Sequence, residues 1–484
     1  MPHIQGQDRY TELQFPPTLD EYVSPDNPVR FIDAFVDQLD LAALGFARVT
    51  AAVEGRPGYA PGDLLKLYLY GYCNRIRSSR ALERETHRNV ELMWLLKQLR
   101  PDHKTIADFR KVHSEALRGV CREFTQLCKE MELFGGELIA IDGSKFLAVN
   151  SRRRNFTVDK LQKILKEADE QIALYLNELE QQDAEAVATA PEPTERLQRK
   201  LERLKARKAK HEALQTQMQA QGQTQLSLTD PDSRRMVDGP NTPISYNVQT
   251  AVDAKHKLIV AHTVTNDVTD QTSLAAMALQ AQKALDVEAL DVVADRGYYD
   301  SQNVKQCVAA GMTPYVAKPP TSKNGPLGRF TKESFLYDAA QDVYRCPAGE
   351  SLTFRFEVMQ KGRLLRNYEV PASVCRNCAL KVQCTDAARG RRIRRWVDEP
   401  LLEEMRERVK ANPQKMQQRR EMAEHPFGTL KRGMNQGYFL CRGLTKVRGE
   451  MSLSILSDNL KRVFNILGVE AMLAGLTARR TAKA

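Results

Sequence analysis

Two short apolar runs that end on an aspartate constrain the fold of this chain more than any other feature. Residues 138–141 precede Asp142, and residues 292–294 precede Asp295. Apolar runs this short, bounded by polar or glycine residues, are typical of strands buried within a sheet. A carboxylate at the end of such a strand is held at the rim of the sheet, where ligands often bind. The sequence therefore predicts an α/β protein whose core carries acidic residues at one edge.

The charge of the chain favours one use for such an edge. Two carboxylates brought together repel each other unless a cation neutralises them, and Mg²⁺ prefers oxygen ligands and often keeps substrate phosphates in its shell. The chain has 72 Lys and Arg against 61 Asp and Glu, a net charge of +11, which suggests a polyanionic partner. The pattern favours metal-assisted phosphate chemistry, although Asp also ends strands in ordinary turns.

The chain is too long for a single core. It has 484 residues, whereas one hydrophobic core rarely grows beyond about 250–300 residues, so we expect at least two domains. Residues 28–134 are predicted to be helical, as a helix-turn-helix module or another small bundle. Residues 158–222 are predicted to form an inserted helical hairpin whose charges face solvent or, alternatively, DNA. Residues 244–264 alternate as a strand hairpin does, and residues 320–400 are expected to be irregular.

A third acidic residue lies far downstream, between two cations. Arg420, Glu424 and Lys431 are spaced by four and seven residues, which places them on one face of a helix. Such a face would bring one carboxylate and two cations to a phosphate. The alternative is a charged surface helix, and Pro426 is expected to kink it.

Four cysteines are spaced as a zinc site requires. Cys375 and Cys378 form a CxxC pair, flanked by Cys346 and Cys384. Thiolates two residues apart in a tight turn can share one tetrahedral Zn²⁺, and the flanking pair would complete four ligands. Ordinary reduced cysteines or a redox pair are the alternatives.

Two clusters of arginine are candidates for contact with a DNA backbone. Arg152, Arg153 and Arg154 follow the first predicted strand, and a second run at residues 389–395 ends beside Trp396. Either cluster would bind phosphates with an affinity that falls steeply as salt rises. The alternative for both is a solvated turn.

Several other classes of protein are excluded. No stretch of about 18 apolar residues is present, so we expect no membrane span. The first 17 residues lack the apolar segment and the cleavage site of a secretory signal. The nine cysteines are therefore expected in a reducing compartment, the cytoplasm.

Four motifs, taken together, resemble the bacterial insertion-sequence transposases of the DDE type. The motifs are IAIDGSKF, VQTAVDAKHKLIVAHTVTNDVTDQTSL, VVADRGYYD and REMAEHPFGTLKR. The resemblance also covers the N-terminal helical segment and the Cys-rich segment. It implies an α/β fold with an RNase H-like mixed sheet, in which Asp142, Asp295 and Glu424 form the acidic triad.

The resemblance also implies a chemistry for these residues. Two Mg²⁺ or Mn²⁺ ions would bind the triad, with Asp142 bridging both. Arg420 and Lys431 match the family signature around the third acid and would hold phosphates. That signature opens with a Tyr, and this chain has Gln417 there.

The implied organisation follows the order of the motifs. An N-terminal helical DNA-binding domain would occupy residues 1–134, and the catalytic domain residues 135–470. The catalytic domain would contain the helical hairpin and a Cys-rich insert at residues 335–400, and residues 471–484 would be a basic tail.

The implied function is that of a DNA transposase. It would cut the ends of an insertion sequence and join them to target DNA. Its partner is double-stranded DNA, both the terminal inverted repeats and the target, and a homodimer on DNA is expected. A non-catalytic DNA-binding relic, or a nuclease without strand transfer, are the alternatives.

Overall fold

The computed structural model describes residues 17–50, 57–185, 192–320, 322 and 324–483. The α-helices in these ranges are α1 Pro28–Asp37, α2 Pro61–Cys73, α3 Ser79–Thr86, α4 Val90–Leu95, α5 His103–Val112, α6 Ser114–Glu130, α7 Val158–Glu185, α8 Glu192–Ala220, α9 Leu274–Leu285, α10 Ser301–Ala309, α11 Ala372–Arg376, α12 Lys381–Cys384, α13 Glu399–Ala411, α14 Pro413–Gly428 and α15 Leu444–Lys483. No helix within those ranges combines the length and the apolar character that a bilayer crossing requires.

The strands form two main sheets and one small ribbon. They are β1 Leu138–Leu147, β2 Asn155–Thr157, β3 Gln225–Ser227, β4 Arg234–Arg235, β5 Ile244–Asp253, β6 Ile259–Thr265, β7 Leu290–Ala294, β8 Met312–Val316, β9 Leu336–Asp338, β10 Val343–Arg345, β11 Ser351–Gln360, β12 Arg363–Glu369 and β13 Arg392–Trp396. Both apolar runs that end on an aspartate are strands, as predicted, in β1 and β7.

The first sheet has the strand order β6–β5–β1–β7–β8, and the short β4 also pairs with β5. β5 runs antiparallel to both β1 and β6, whereas β7 is parallel to β1 and β8 is parallel to β7. Three antiparallel strands followed by two parallel ones make up the RNase H-like arrangement. The predicted fold class is therefore confirmed.

Helices cover both faces of this sheet. Ile139 and Ile141 of β1 share an apolar cluster with residues of α9 and α10. Ala140 packs in another cluster with Met422 and Ala423 of α14. Because side chains alternate along a strand, Asp142 projects to the same side as Ala140, toward the layer that contains α14.

The largest apolar core joins the N-terminal helices to α15. The ring of Phe31 in α1 contacts the rings of Phe124 in α6 and Phe464 in α15, with centroids 6.3 and 5.7 Å away. The helices expected at the N-terminus are therefore present, and they pack against the C-terminal helix rather than on each other alone.

The C-terminal residues differ from the sequence-based expectation. Residues 471–484 are expected as a basic tail, yet α15 continues to Lys483, after an interruption at Gly468 where φ is +77°. Met472 and Leu476 are buried. These apolar residues lie four positions apart, ahead of Arg479 and Arg480, and this spacing gives the segment a stripe that packs on the helical core.

Two insertions leave the first sheet. The predicted helical hairpin consists of α7 and α8, and the ribbon of β2 and β3 closes its base. The segment 320–400, expected to be irregular, instead contains a five-stranded antiparallel sheet of order β13–β12–β11–β10–β9. Its longest strand, β11, is exposed along most of its length, yet Leu352, Phe354, Phe356 and Val358 alternate with polar residues as in a strand.

Candidate active site

Asp142 and Asp295 lie side by side at one edge of the first sheet. β1 and β7 are parallel, and Ile141 is opposite Ala294. The next residue of each strand is an aspartate, so the pairing of the strands brings together two carboxylates that are far apart in the sequence. The Asp295 side chain also accepts a hydrogen bond of 2.8 Å from the backbone N–H of Gly297, which holds it at the start of a short helical turn.

The carboxylate of Asp142 is not neutralised by its surroundings. Burial raises its pKa to about 6, and the negative charges of Asp295 and Asp270 add to this effect. The backbone N–H of Gly143, 2.9 Å from Oδ1 of Asp142, and the charge of Arg419 act in the opposite direction. A bound cation stabilises the charged form of a carboxylate most strongly where that carboxylate is desolvated and close to other negative charges.

Glu424 lies on the helix that covers this edge. It follows Ala423, which packs with Ala140 of β1 and Val293 of β7. Glu424 is exposed and takes part in no ion pair within the described part of the chain. Among the described residues, no group of three or more His, Cys, Asp or Glu side chains is close enough to hold a metal ion. The fold thus brings two carboxylates together and places the helix of the third beside them.

The two cations expected near Glu424 occupy different surroundings. Arg420 is exposed one turn before Glu424 on α14. Lys431 follows a change from α-helix to a wider π-helical turn at Thr429–Gly433, and its Nζ lies 5.1 Å from the ring centroid of Phe146. Burial lowers the pKa of Lys431. Pro426 lies inside α14, and the helix passes into the π-helical turn soon after it.

A polar network behind β1 was not foreseen from the sequence. Oδ1 of Asp270 accepts hydrogen bonds from Asn247 Nδ2 at 2.6 Å, Gln249 Nε2 at 2.7 Å and Lys145 Nζ at 3.1 Å. Gln249 Oε1 in turn accepts a hydrogen bond from the hydroxyl of Tyr298. Tyr298 belongs to the turn that begins at Asp295, so the network connects this turn to the strand that carries Asp142.

Gly143 is the residue that makes room for this network. A Cβ atom at Gly143 would lie 2.8 Å from Oδ1 of Asp270 and 2.9 Å from the hydroxyl of Tyr298. Both distances are too short for an unstrained contact. The glycine directly after Asp142 is therefore the sequence signal of polar groups that lie close against this strand.

The four cysteines of the proposed zinc site line one small cavity of about 30 Å³ in the second sheet's domain. All four are free thiols. Gly390, with φ of +88°, is closely packed here, since a Cβ atom at Gly390 would lie 2.7 Å from Sγ of Cys375. Burial raises the pKa of Cys384, to which the charges of the other three cysteines contribute. The thiols thus converge on one place without reaching the distances of a metal site.

The arginines after β1 lie on the surface. Residues Arg152–Arg154 form one turn of 3-10 helix, and the side chains of Arg153 and Arg154 are exposed. The side chain of Arg152 lies outside the described part of the chain. Neither exposed arginine forms an ion pair within the described residues.

Comparison with known proteins gives two family matches. Residues 17–112 match a transposase domain (DUF772), and residues 345–464 match a transposase DDE domain. The second match includes Glu424 and the four cysteines. Among solved structures, the chain is similar to a cryo-EM structure of a piggyBac transposase synaptic complex with hairpin DNA, with a TM-score of 0.34, 8% identity, and coverage of 91% of this chain and 75% of that chain. No curated protein sequence matches the chain.

Proposed function

Because this chain belongs to the DDE transposases of insertion sequences, we propose that it cuts DNA at the ends of its element and joins those ends to target DNA. One observation carries the proposal. Asp142 and Asp295 lie side by side at one edge of the sheet, and the helix that bears Glu424 packs on the same two strands. These three carboxylates are the proposed catalytic residues.

The acidic edge has the charge that divalent cations require. Three carboxylates, those of Asp142, Asp295 and Asp270, face two nearby cations, Arg419 and the Lys145 that is paired with Asp270. We propose that Asp142, Asp295 and Glu424 bind two Mg²⁺ or Mn²⁺ ions. When bound, such ions activate the attacking oxygen and stabilise the leaving 3′-oxygen.

The protein's own side chains bind and orient the DNA strand. Arg420 and Lys431 are the proposed phosphate ligands near the third carboxylate, with Arg153 and Arg154 as further contacts to the backbone. Arginine binds a phosphate through two parallel hydrogen bonds, whereas lysine acts as a point charge. Glu424 is exposed and unpaired in the described part of the chain, so its side chain is free to turn toward the aspartates.

The test is a cleavage and strand-transfer assay on DNA that carries the element ends, with Mg²⁺. Asp142→Ala, Asp295→Ala and Glu424→Gln should each reduce cleavage by about 1,000-fold or more, since each removes several kcal/mol of transition-state stabilisation. DNA binding, measured in parallel, should remain. The matched control is Glu421→Gln, on the exposed face of the same helix, which should cut as well as the unchanged protein.

The assay separates the alternatives. Cleavage and joining support the proposal, cleavage alone indicates a nuclease, and binding alone indicates a non-catalytic relic. If Asp142→Ala or Asp295→Ala still cuts the element ends, the assignment of the catalytic residues is wrong.

We also propose that Cys346, Cys375, Cys378 and Cys384 bind one structural Zn²⁺. The support is their convergence on a single 30 Å³ cavity, and binding would have to draw the thiols closer together. Mass spectrometry of the metal content should find one zinc per chain, and less than half an equivalent would contradict the site. Cys375→Ser should abolish zinc binding, whereas Cys307→Ser, a buried cysteine elsewhere, should not.

The proposed working unit is a homodimer on DNA in the cytoplasm, where the nine free cysteines stay reduced. Two copies are proposed because two element ends must be brought together for joining. Light scattering of the protein with and without DNA ends should show two chains per complex. A complex that contains one chain would contradict this part of the proposal.

A further inference from the structure

We propose that one face of the second sheet binds the phosphate backbone of duplex DNA at a site separate from the carboxylates. The site, called here the arginine face, consists of Arg392 and Arg394 of β13 together with Arg389 in the turn before that strand. All three side chains are exposed. The inference rests on the proposed function, because it assigns a second contact to the same substrate.

The alternation of side chains along β13 determines which arginines of the run at residues 389–395 are exposed. Ile393 and Arg395 point to one side of the sheet and are buried, whereas Arg392 and Arg394 point to the other side and are exposed. Arg395 is held by Glu403 and lies 3.8 Å from the ring centroid of Tyr337. Arg395 therefore has a structural role, and the alternation leaves only part of the run for a ligand.

The surroundings of the arginine face are strongly cationic. A groove of about 530 Å³ runs beside it, lined by Lys332, Arg391 and all three arginines of the face. The single acidic residue that lines the groove is Glu369, which pairs with Arg392. Arg389 has no acidic partner in the described part of the chain. Positive charge in excess of local acids is the feature that attracts a polyanion rather than a protein side chain.

An aromatic side chain holds part of this face in place. The guanidinium of Arg392 lies 5.5 Å from the ring centroid of Phe356 on β11, and Phe356 is itself 44% exposed. A guanidinium over an aromatic ring loses less freedom when it binds a phosphate. Arg394 is likewise oriented by a hydrogen bond of 3.0 Å to Oε1 of Gln360. Arg392 and Arg394 are thus positioned before any ligand arrives.

The strand that carries the arginine face packs at its end against the first sheet. Trp396, the last residue of β13, is buried in the apolar cluster that contains Ile141 and Ala294. Arg392 lies four residues before Trp396, about 13 Å away along an extended strand. The arginine face is therefore fixed to the sheet that carries the carboxylates.

The experiment measures the salt dependence of DNA binding by the full-length protein. Each phosphate contact contributes about 0.9 to the slope of log Kd against log salt for duplex DNA. The triple variant Arg389→Ala/Arg392→Ala/Arg394→Ala should lose about 2–3 from this slope and bind duplex about tenfold or more weakly at 0.1 M salt. The single variant Arg389→Ala disturbs no ion pair, and its slope should be smaller by about 0.9. It keeps the test valid if the triple variant misfolds.

The matched control is a variant in which three exposed cations of another region are replaced by Ala. Lys200, Arg203 and Lys205 are exposed on α8 of the helical hairpin, and their replacement by Ala should leave the slope unchanged. The same slopes are measured with single-stranded DNA of identical sequence. A loss confined to duplex supports the arginine face as a duplex site. An unchanged slope for both arginine-face variants, an equal loss in the α8 control, or an equal loss on single strands would overturn it.

Failure of this inference is distinguishable from failure of the proposed function. The unchanged protein is assayed for cleavage of element ends in the same preparations. If it cuts and joins DNA while the arginine-face variants bind as it does, the inference alone is wrong. If it does not cut, the proposed function is wrong whatever the variants show.

Discussion

Two carboxylates in this protein, the buried Glu450 and the half-buried Asp142, differ in how their charge is compensated. Glu450 of α15 is fully buried and accepts hydrogen bonds from Arg77 at 2.8 Å and from the backbone N–H of Cys441 at 2.8 Å. Burial would raise its pKa, yet the charges of Arg110 and Arg77 outweigh burial and lower it. Asp142 is half-buried, and its loss of solvation raises its pKa to about 6.

The difference distinguishes a carboxylate that is paired within the protein from one that is not. The cluster around Glu450 contains its own cations and connects the N-terminal helices to α15, so it is complete without a ligand. Asp142 has Asp295 and Asp270 as neighbours, and it lacks equivalent compensation from within the protein. A desolvated carboxylate whose neighbours are also negatively charged is a better candidate for metal binding than one that is already paired with arginines.

The largest effect is expected for Glu450→Gln. Loss of one partner leaves two buried arginines without their counter-charge, which typically costs about 3–5 kcal/mol of folding free energy. Urea unfolding at pH 7 measures this loss. The control is Glu115→Gln, which removes an exposed ion pair with Arg118 and should cost less than about 0.5 kcal/mol. A loss below about 1 kcal/mol in Glu450→Gln would mean that the cluster is not neutralised as described.

The substitution Asp142→Asn should increase the free energy of unfolding, whereas Glu450→Gln should decrease it. In the folded protein the pKa of Asp142 is raised from 3.8 to about 6. The folded protein therefore holds this proton more tightly than the unfolded chain does, and its free energy of unfolding decreases as the pH rises from about 4 through 6. Removal of the charge should therefore stabilise the metal-free protein at pH 8 by up to about 3 kcal/mol, and the gain should vanish toward pH 4.

Unfolding curves in EDTA from pH 4 to pH 8 check this dependence. Asp267→Asn, on an exposed loop, removes a carboxylate in the same way and is the matched control. Addition of Mg²⁺ should stabilise the unchanged protein but not Asp142→Asn. A destabilised Asp142→Asn variant at pH 8 would show that the carboxylate is already compensated within the protein, as Glu450 is.

Gly143→Ala tests how tightly the polar groups pack behind Asp142. The new methyl group would meet Asp270 Oδ1 and the Tyr298 hydroxyl below 3.0 Å, and such overpacking typically costs about 1–3 kcal/mol. Thermal unfolding measures the cost. Gly58→Ala places its methyl group where no atom lies within 4 Å and should change the Tm little. Equal changes in Tm for the two substitutions would show that the polar groups around Gly143 can move aside at little cost.

Local sequence patterns were sufficient for the elements that carry the aspartates. The apolar runs before Asp142 and Asp295 predict buried strands, and the structure contains β1 and β7 there. The helical hairpin also follows from the spacing of its leucines. Such patterns succeed because burial imposes a period on the side chains of each element.

The second sheet was expected to be irregular, although one of its strands carries the same kind of signal. Leu352, Phe354, Phe356 and Val358 of β11 alternate with polar residues, whereas β9 and β10 have only three residues each and are too short to show a period. The arginine run at residues 389–395 contains one large apolar residue, Ile393, and shows no alternation. Its sequence shows a basic patch, whereas the pleat of β13 divides that patch into buried and exposed residues.

The amino-acid order alone was enough to identify the chemistry available to this protein: strand-end carboxylates, clustered thiols and basic runs are all local features. Which of these groups meet depended on contacts between distant segments. The parallel pairing of β1 with β7 joins Asp142 to Asp295, and packing of α14 on both strands positions Glu424. Register and packing arise from long-range burial, which no short window of residues specifies.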